Sequence, residues 1–291
     1  ASPGAADRGA SALNARARSG SIWVVGAFGA GQVLRLGLNI VLAALLFEEA
    51  FALMAIVMAV MVGLTNFSDI GLRPNVIQST RGDEPQFLNT AWTLQVIRGV
   101  LLAGVAAALA WPLALLYSAN DPIAYELRWL IPLVALTAAI DGLQSPSVLS
   151  AARHLQVAAL TRMDVVVQVF NAVVILVLVW HFRSVYGLAV AAVMSSLLRT
   201  ALTYWLLSGP RPRFVLEREA VRSIVSFGKW VFLSSLITFI ATQIDRLAFG
   251  GLYPLAEVGV YSIAVGLAMV VTTLIGHLQG SVMFPWYSRR L

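Results

Sequence analysis

The chain has 291 residues, of which 59% are hydrophobic and only 12% charged, with a mean hydropathy of +0.82 and a net charge of +6. A soluble domain is nearer half apolar and a quarter charged, so no soluble core could absorb this excess and most of the chain must be solvated by lipid. The absence of cysteine excludes disulfides and thiolate metal sites, and the three histidines, His154, His181 and His277, are too scattered to form a ligand cluster.

Residues 1–20 are small, polar and basic and read as a disordered tail. The apolar run that follows is too long for a signal-peptide core and shows no clear cleavage site, so it reads as a first transmembrane helix. A crossing helix needs about 20 predominantly apolar residues. Eight segments qualify: 22–46, 51–72, 90–116, 123–146, 163–182, 185–208, 227–251 and 257–280. The fold class expected is an all-α integral membrane protein. All connections are short and no soluble domain is inserted, which leaves extramembrane catalysis without a seat; the chain is not expected to be an enzyme. Basic residues orient the spans. With the N-terminus in the cytoplasm, the inside segments hold thirteen arginines and the outside ones only Arg128 and Arg183.

Several polar residues fall within these spans, where a central charge costs roughly 2.5–3.5 kcal/mol on insertion scales. In the first span Gln32, Arg35 and Asn39 share one face, with Arg35 near mid-membrane. The fifth carries Thr161, Asp164, Gln168 and Asn171, and the sixth Ser195, Arg199 and Thr203. In the seventh, Ser234, Thr238, Thr242 and Asp245 line one side with Arg246 at its edge, while Lys229 points the other way and can snorkel. The eighth has Ser262, Gly266, Thr273, His277 and Gly280. Such stripes suit a hydrated lumen, but Ser, Thr and Gly also let helices pack closely. Arg35 favours the lumen, because a mid-membrane guanidinium is a poor packing device. Arg98, Asp164 and Arg199 lie nearer the cytoplasmic ends, where interfacial snorkelling competes with function. Asp69 and Asp141 end their spans on the same side, within reach of nearby arginines. Asp245 and Arg246 diverge by about 100° and are poorly placed to pair with each other; pairing between helices and a part in transport are both open to them. The arginine bias itself fits either a GC-rich genome or a grip on phosphates.

Other motifs are thin. "GAFGAG" at 26–31 has glycines but lies inside a span with no preceding strand, and the sequon "NFS" at 66–68 falls at a cytoplasmic helix end. An internal echo is more informative. "EAFALMAIV" (49–57) and "EVGVYSIAV" (257–265) each place a Glu just before an outward-to-inward helix, at an offset of 208 residues. This fits two lobes of six spans related about an axis along the membrane normal. The expected organisation is a six-helix lobe over 21–208, a basic cytoplasmic linker over 209–226 and the first two helices of a second lobe over 227–291, as if the chain stopped one third of the way into that lobe.

"FSDIGLRPNVIQ" at the close of the second span, "PSVLSAARHLQVAALTRMDVVVQV" leading into the fifth, "FGKWVFLSSLITFIATQIDRLAFGGLYPLAEVGVYSIA" across the seventh and "MFPWYSRR" at the end carry a resemblance. Together, from residue 21 onward, they are similar to the bacterial polysaccharide transporter family, the flippases of lipid-linked oligosaccharides in O-antigen, capsule and exopolysaccharide synthesis. The family shares a superfamily with multidrug antiporters. The seventh-span Asp of the family pattern matches Asp245, and its Gly-x-Tyr matches Gly259 and Tyr261. The resemblance implies a transporter of the bacterial inner membrane that moves an oligosaccharide on undecaprenyl pyrophosphate to the outer leaflet by alternating access, without a cofactor or nucleic acid. A polysaccharide polymerase and a chain-length regulator are the implied partners besides membrane lipid. Arg35, Gln32, Asn39, Arg98 and Arg199 are then candidates for holding substrate. Asp245, Arg246 and Asp164 are candidates for coupling to a proton or sodium gradient or for joining the lobes. The rivals are a drug or cation antiporter of the same superfamily and a membrane-embedded polymerase or glycosyltransferase. Arg35 weighs against the first, and the lack of a large outer loop or acidic motif against the second.

Overall fold

Lipid offers a backbone N–H or C=O no water to bond, so runs this apolar must close their hydrogen bonds internally, as helices do. The computed structural model describes residue 26 and residues 29–278 except 70, 155, 208 and 210; the predicted tail 1–20 and residues 279–291 lie outside them. Among the described residues all regular structure is helical. In chain order the elements are α1 (Gly29–Leu45), α2 (Glu48–Phe67), α3 (Leu72–Gln78), α4 (Pro85–Ser118), a 3-10 turn (Pro122–Glu126), α5 (Leu127–Gly142), α6 (Ser147–Arg153), α7 (Val157–Phe182), α8 (Tyr186–Leu206), α9 (Arg218–Leu252) and α10 (Leu255–Leu278). The chain is an all-α membrane protein. Six helical stretches, in α2, α4, α5 with its 3-10 turn, α7, α8 and α9, are long and apolar enough to cross a membrane, whereas Gly29–Leu45 and Leu255–Met269, at the first and eighth predicted spans, are shorter.

The boundaries differ from the sequence reading where charge and hydropathy disagree with helix propensity. Residues 218–226, assigned above to a linker, are instead the first turns of α9. Arg218, Glu219 and Arg222 dilute the apolar signal but are sound helix formers, and Ala220 and Ile224 bury beside Phe87, Leu88 and Leu149. With 34 and 35 residues, α4 and α9 are each about 50 Å long, well beyond the ~30 Å hydrocarbon layer. Their N-terminal overhangs meet at one end of the molecule, which also gathers Arg81, Arg153, Arg211 and Arg213 and is called the basic end below.

Helix α2 forms the centre. Ala50, Leu53, Ile56 and Val57 on it are essentially inaccessible, and it packs against α9, α10 and α5. Glycines set its closest approaches. A Cβ on Gly63 would meet the Phe239 ring at 2.7 Å, one on Gly250 would meet Ile56 at 2.8 Å, and one on Gly259 would lie 2.0 Å from the backbone oxygen of Glu48. Helices α2 and α10, the pair opened by the repeated Glu49 and Glu257, thus lie directly against each other. At the end away from the arginines, Tyr117 Oη donates to Leu247 O (2.9 Å), Asn120 Nδ2 donates to Gly251 O, and Asp121 Oδ2 accepts from the Leu255 N–H (3.3 Å).

At the basic end a non-helical strap, residues 211–217, runs along the α4 overhang. The N–H groups of Arg213, Val215 and Glu217 donate to Asn89 Oδ1 (3.1 Å), Thr93 Oγ1 (3.1 Å) and Thr90 Oγ1 (3.2 Å). The Phe214 ring lies 4.8 Å from that of Trp92. Arg81 donates to Glu84 (2.8 Å) and Glu217 (2.7 Å), and these hydrogen bonds raise its guanidinium further above an already high range.

Arg153 caps α3. Its Nη1 donates to the carbonyl oxygens of Val76 (2.8 Å), Ile77 (2.9 Å) and Ser79 (2.6 Å), and its Nε to Asp83 (3.0 Å). A cation at a helix C-terminus satisfies carbonyls that the helix itself leaves open. Arg153→Ala is predicted to destabilise the protein by about 2 kcal/mol, with Arg153→Lys recovering only part of it. Thermal midpoints in detergent check this; an unchanged midpoint for the alanine variant would show that the cap is dispensable.

Candidate functional site

The residues after α2 read Ser68-Asp69-Ile70-Gly71. Gly71 takes a left-handed backbone (φ 61°), and the Asp69 carboxylate accepts its N–H at 2.9 Å, an Asx-type turn that suits Asp followed by Gly. This turn swings α3 across the mouth of the bundle and brings Arg73 over the space between α4 and α5. Those two helices touch almost backbone to backbone. A Cβ on Gly99 would lie 2.4 Å from Ala138 O, and one on Gly142 would lie 3.1 Å from Gln95 O. Gln95 Nε2 donates to Asp141 O (3.0 Å) and closes the end of α5.

A cavity of about 580 Å³ opens there, bounded by α2, α3, α4, α5, α6 and α8. Its charged lining is Arg73, Arg98 and Arg199 against Asp69 and Asp141. Arg98 reaches from α4 to cap α2, its Nε donating to Ser68 Oγ (2.9 Å) and its Nη2 to Thr65 O (2.8 Å). Two fixed nitrogens orient the guanidinium and leave Nη1 without a partner among the described residues. Arg199 Nη2 is bound to Asp164 Oδ1 at 2.7 Å, its other nitrogens being unpaired among the described residues. Arg73 has no hydrogen bond or ion pair among them. Asp141 Oδ1 accepts from Ser196 Oγ (2.7 Å) and Gln144 Nε2 (2.9 Å) and forms no ion pair with an arginine among the described residues. Asp69, beyond its bond to the Gly71 N–H, interacts electrostatically with Arg98 as expected.

Arg199 is also one wall of a second cavity of about 410 Å³ between α7 and α8, lined by Asp164, Gln168, Asn171 and Ser195. Here the polar stripes of the fifth and sixth predicted spans meet. Ser195 Oγ donates to Asn171 Oδ1 (2.8 Å), and Gln168 Nε2 donates to Gly31 O on α1 (3.0 Å). The lining is a row of carboxylate, amide and hydroxyl groups, the chemistry that matches sugar hydroxyls.

The structure therefore brings together Arg98, Arg199 and Asp164 from the predicted set. It does not bring in Gln32, Arg35 or Asn39, none of which lines either cavity. Gln32 is buried, Asn39 half-buried and Arg35 exposed, with no hydrogen bond or ion pair for Arg35 among the described residues. The three span only about 60° of the helix, but the packing edge of α1 passes between Gln32 and Arg35. Asp245 and Arg246 lie apart from both cavities and do not pair. Tyr261 Oη donates to Asp245 Oδ2, joining α9 to α10, and Arg246 Nη1 donates to Gln243 Oε1 (3.1 Å). The side chains of Lys229, Thr273 and His277, and residue 280, lie outside those described. Arg73 was missed by sequence reasoning because it counted as a loop charge; the Asp-x-Gly turn before it is the signal that places it.

A family model described as polysaccharide biosynthesis protein matches residues 41–290. No curated protein and no solved structure matches. The matched stretch takes in both cavities, the strap and the α2–α10 contact. With this match across most of its length and an all-helical membrane-crossing fold, the chain belongs to the polysaccharide biosynthesis protein family.

Proposed function

We propose that the protein is a flippase that carries an undecaprenyl-pyrophosphate-linked oligosaccharide across the bacterial inner membrane by alternating access. The observation that carries this reading is the convergence of Arg73, Arg98 and Arg199, from three different helices, on one cavity at the basic end. A pyrophosphate cannot enter hydrocarbon as a bare anion, and unpaired guanidinium N–H groups in a recess offset its desolvation. Arg98 is pre-oriented by its cap on α2, so little freedom is lost when it binds. Arg199 can exchange Asp164 for phosphate, and the released carboxylate is a place for a coupling proton or sodium ion. The glycan would lie along the Gln168–Asn171–Ser195 groove, and the apolar tail would stay in lipid. The test is reconstitution into proteoliposomes with a labelled lipid-pyrophosphate oligosaccharide, read by protection from an impermeant glycosidase. Transport of organic cations with none of the lipid-linked sugar would replace this reading by that of an antiporter.

The basic end is assigned to the cytoplasm by charge asymmetry. Because the chain has no cysteine, single cysteines report their own accessibility. In intact cells Arg183→Cys and Pro254→Cys are expected to react with an impermeant maleimide, and Thr80→Cys and Arg211→Cys only after lysis. The reverse pattern would invert the direction of transport.

A further inference from the structure

We propose that the strap and its flanks form a docking surface for anionic phospholipid headgroups at the basic end. Three bonds to α4 side chains hold the strap edge-on and so fix which way its side chains point. Phe214 and Leu216 are 72% and 59% exposed, and Trp205 at the end of α8, also at the basic end, is 84% exposed. Interleaved with them are Arg211, Arg213, Arg218 and Arg222, all exposed and none in an ion pair among the described residues. The nearby carboxylates make no ion pair with these four among the described residues; Glu217 bonds Arg81 at 2.7 Å, and Glu219 lies 3.8 Å from it.

Four guanidiniums outside any ion pair among the described residues, set among exposed aromatic and aliphatic side chains, match one environment, the layer where phosphate headgroups meet acyl chains. A soluble anion would account for the arginines but not for Phe214, Leu216 and Trp205. The surface also follows directly on α8, whose crossing stretch ends at Leu206, which places its start at headgroup depth. This inference does not depend on the flippase reading, and none of the four arginines lines the cavity.

The experiment uses the whole chain in phosphatidylcholine bilayers, with spin-labelled phosphatidylglycerol and phosphatidylcholine as probes, and reads their relative association at the protein boundary. The native chain is expected to prefer phosphatidylglycerol several-fold, the preference falling as salt rises. R211Q/R213Q/R218Q/R222Q is expected to lose at least fivefold of association with the anionic lipid. F214S/L216S, with its charge intact, is expected to halve the preference, because the strap would no longer seat in the layer. Circular dichroism shows whether the quadruple variant is folded; if it is not, R213Q alone, expected to lose about half the preference, decides. An undiminished preference in the arginine variants would overturn the site. An undiminished preference in F214S/L216S would reduce it to a diffuse field and overturn the docking. Either result leaves the proteoliposome transport assay unaffected, so failure here and failure of the flippase reading are distinguishable.

Discussion

Arg199→Gln is expected to slow translocation of lipid-linked oligosaccharide about 10- to 100-fold while leaving the amount of protein in the membrane nearly unchanged. Arg199 is the residue common to both cavities, so it alone can touch the anionic head and the polar groove together. Its pair with Asp164 is 2.7 Å long, but the two side chains are 40% and 53% exposed, and pairs that open to water contribute at most about 1 kcal/mol to folding. A guanidinium bound to phosphate is a charge-assisted, two-pronged contact of about 1.5–3 kcal/mol, which sets the predicted range of rates. Arg199→Lys should restore only part, since an ammonium is a point charge. Asp164→Asn, which frees the guanidinium, should keep substrate binding intact. The double variant Arg199→Gln/Asp164→Asn separates the roles: recovery of transport in it would mean that Arg199 serves only to neutralise the carboxylate, and the substrate role would be lost.

Gly259→Ala should lower the thermal midpoint more than any other single methyl addition in α10. The new Cβ would lie 2.0 Å from the Glu48 backbone oxygen and 2.7 Å from its carbonyl carbon. Backbone cannot rotate away as a side chain can, so α10 must shift off α2. Overpacking of this kind costs typically 1–3 kcal/mol, and more where the obstacle is rigid. Gly266, two turns further along the same helix, is the internal control, because nothing lies within 4 Å of an added Cβ there. Gly266→Ala should be neutral or stabilise by up to about 1 kcal/mol through helix propensity alone. Equal midpoints for the two variants in detergent would refute the close contact of α2 with α10.

Much of the fold was legible in the sequence because lipid imposes a single rule. An apolar run of sufficient length becomes a helix, and the predicted spans land on the observed helices. What escaped was whatever that rule does not govern. The seven-residue helices α3 and α6 are too short to leave an apolar signature, and the charged start of α9 hides a helix from any hydropathy window. The site was half legible. Asp164, Gln168, Asn171, Ser195 and Arg199 were marked by helical spacing on adjacent spans, and the structure sets those stripes face to face. Arg35 lines neither cavity, because depth in the membrane says nothing about which way a side chain turns, and on α1 Gln32 is buried whereas Arg35 is exposed. Arg73 depends on a turn made by Asp69 and Gly71, a tertiary consequence of two residues that no periodicity reports.

The strap over α4 is held in an unusual currency. Strands are ordinarily joined through peptide N–H and C=O groups, which every residue carries save for the N–H of proline, so only a substitution by proline on the partner deletes such a bond. Here each acceptor is a side chain, Asn89, Thr90 or Thr93, on a helix whose own ladder does not need it. The grip on the segment joining α8 to α9 can therefore be loosened one bond at a time, by Asn89→Ala, Thr90→Val or Thr93→Val, with the helix beneath left intact. That makes the tether between α8 and α9 an adjustable quantity, open to gradual tuning by substitution without refolding either helix.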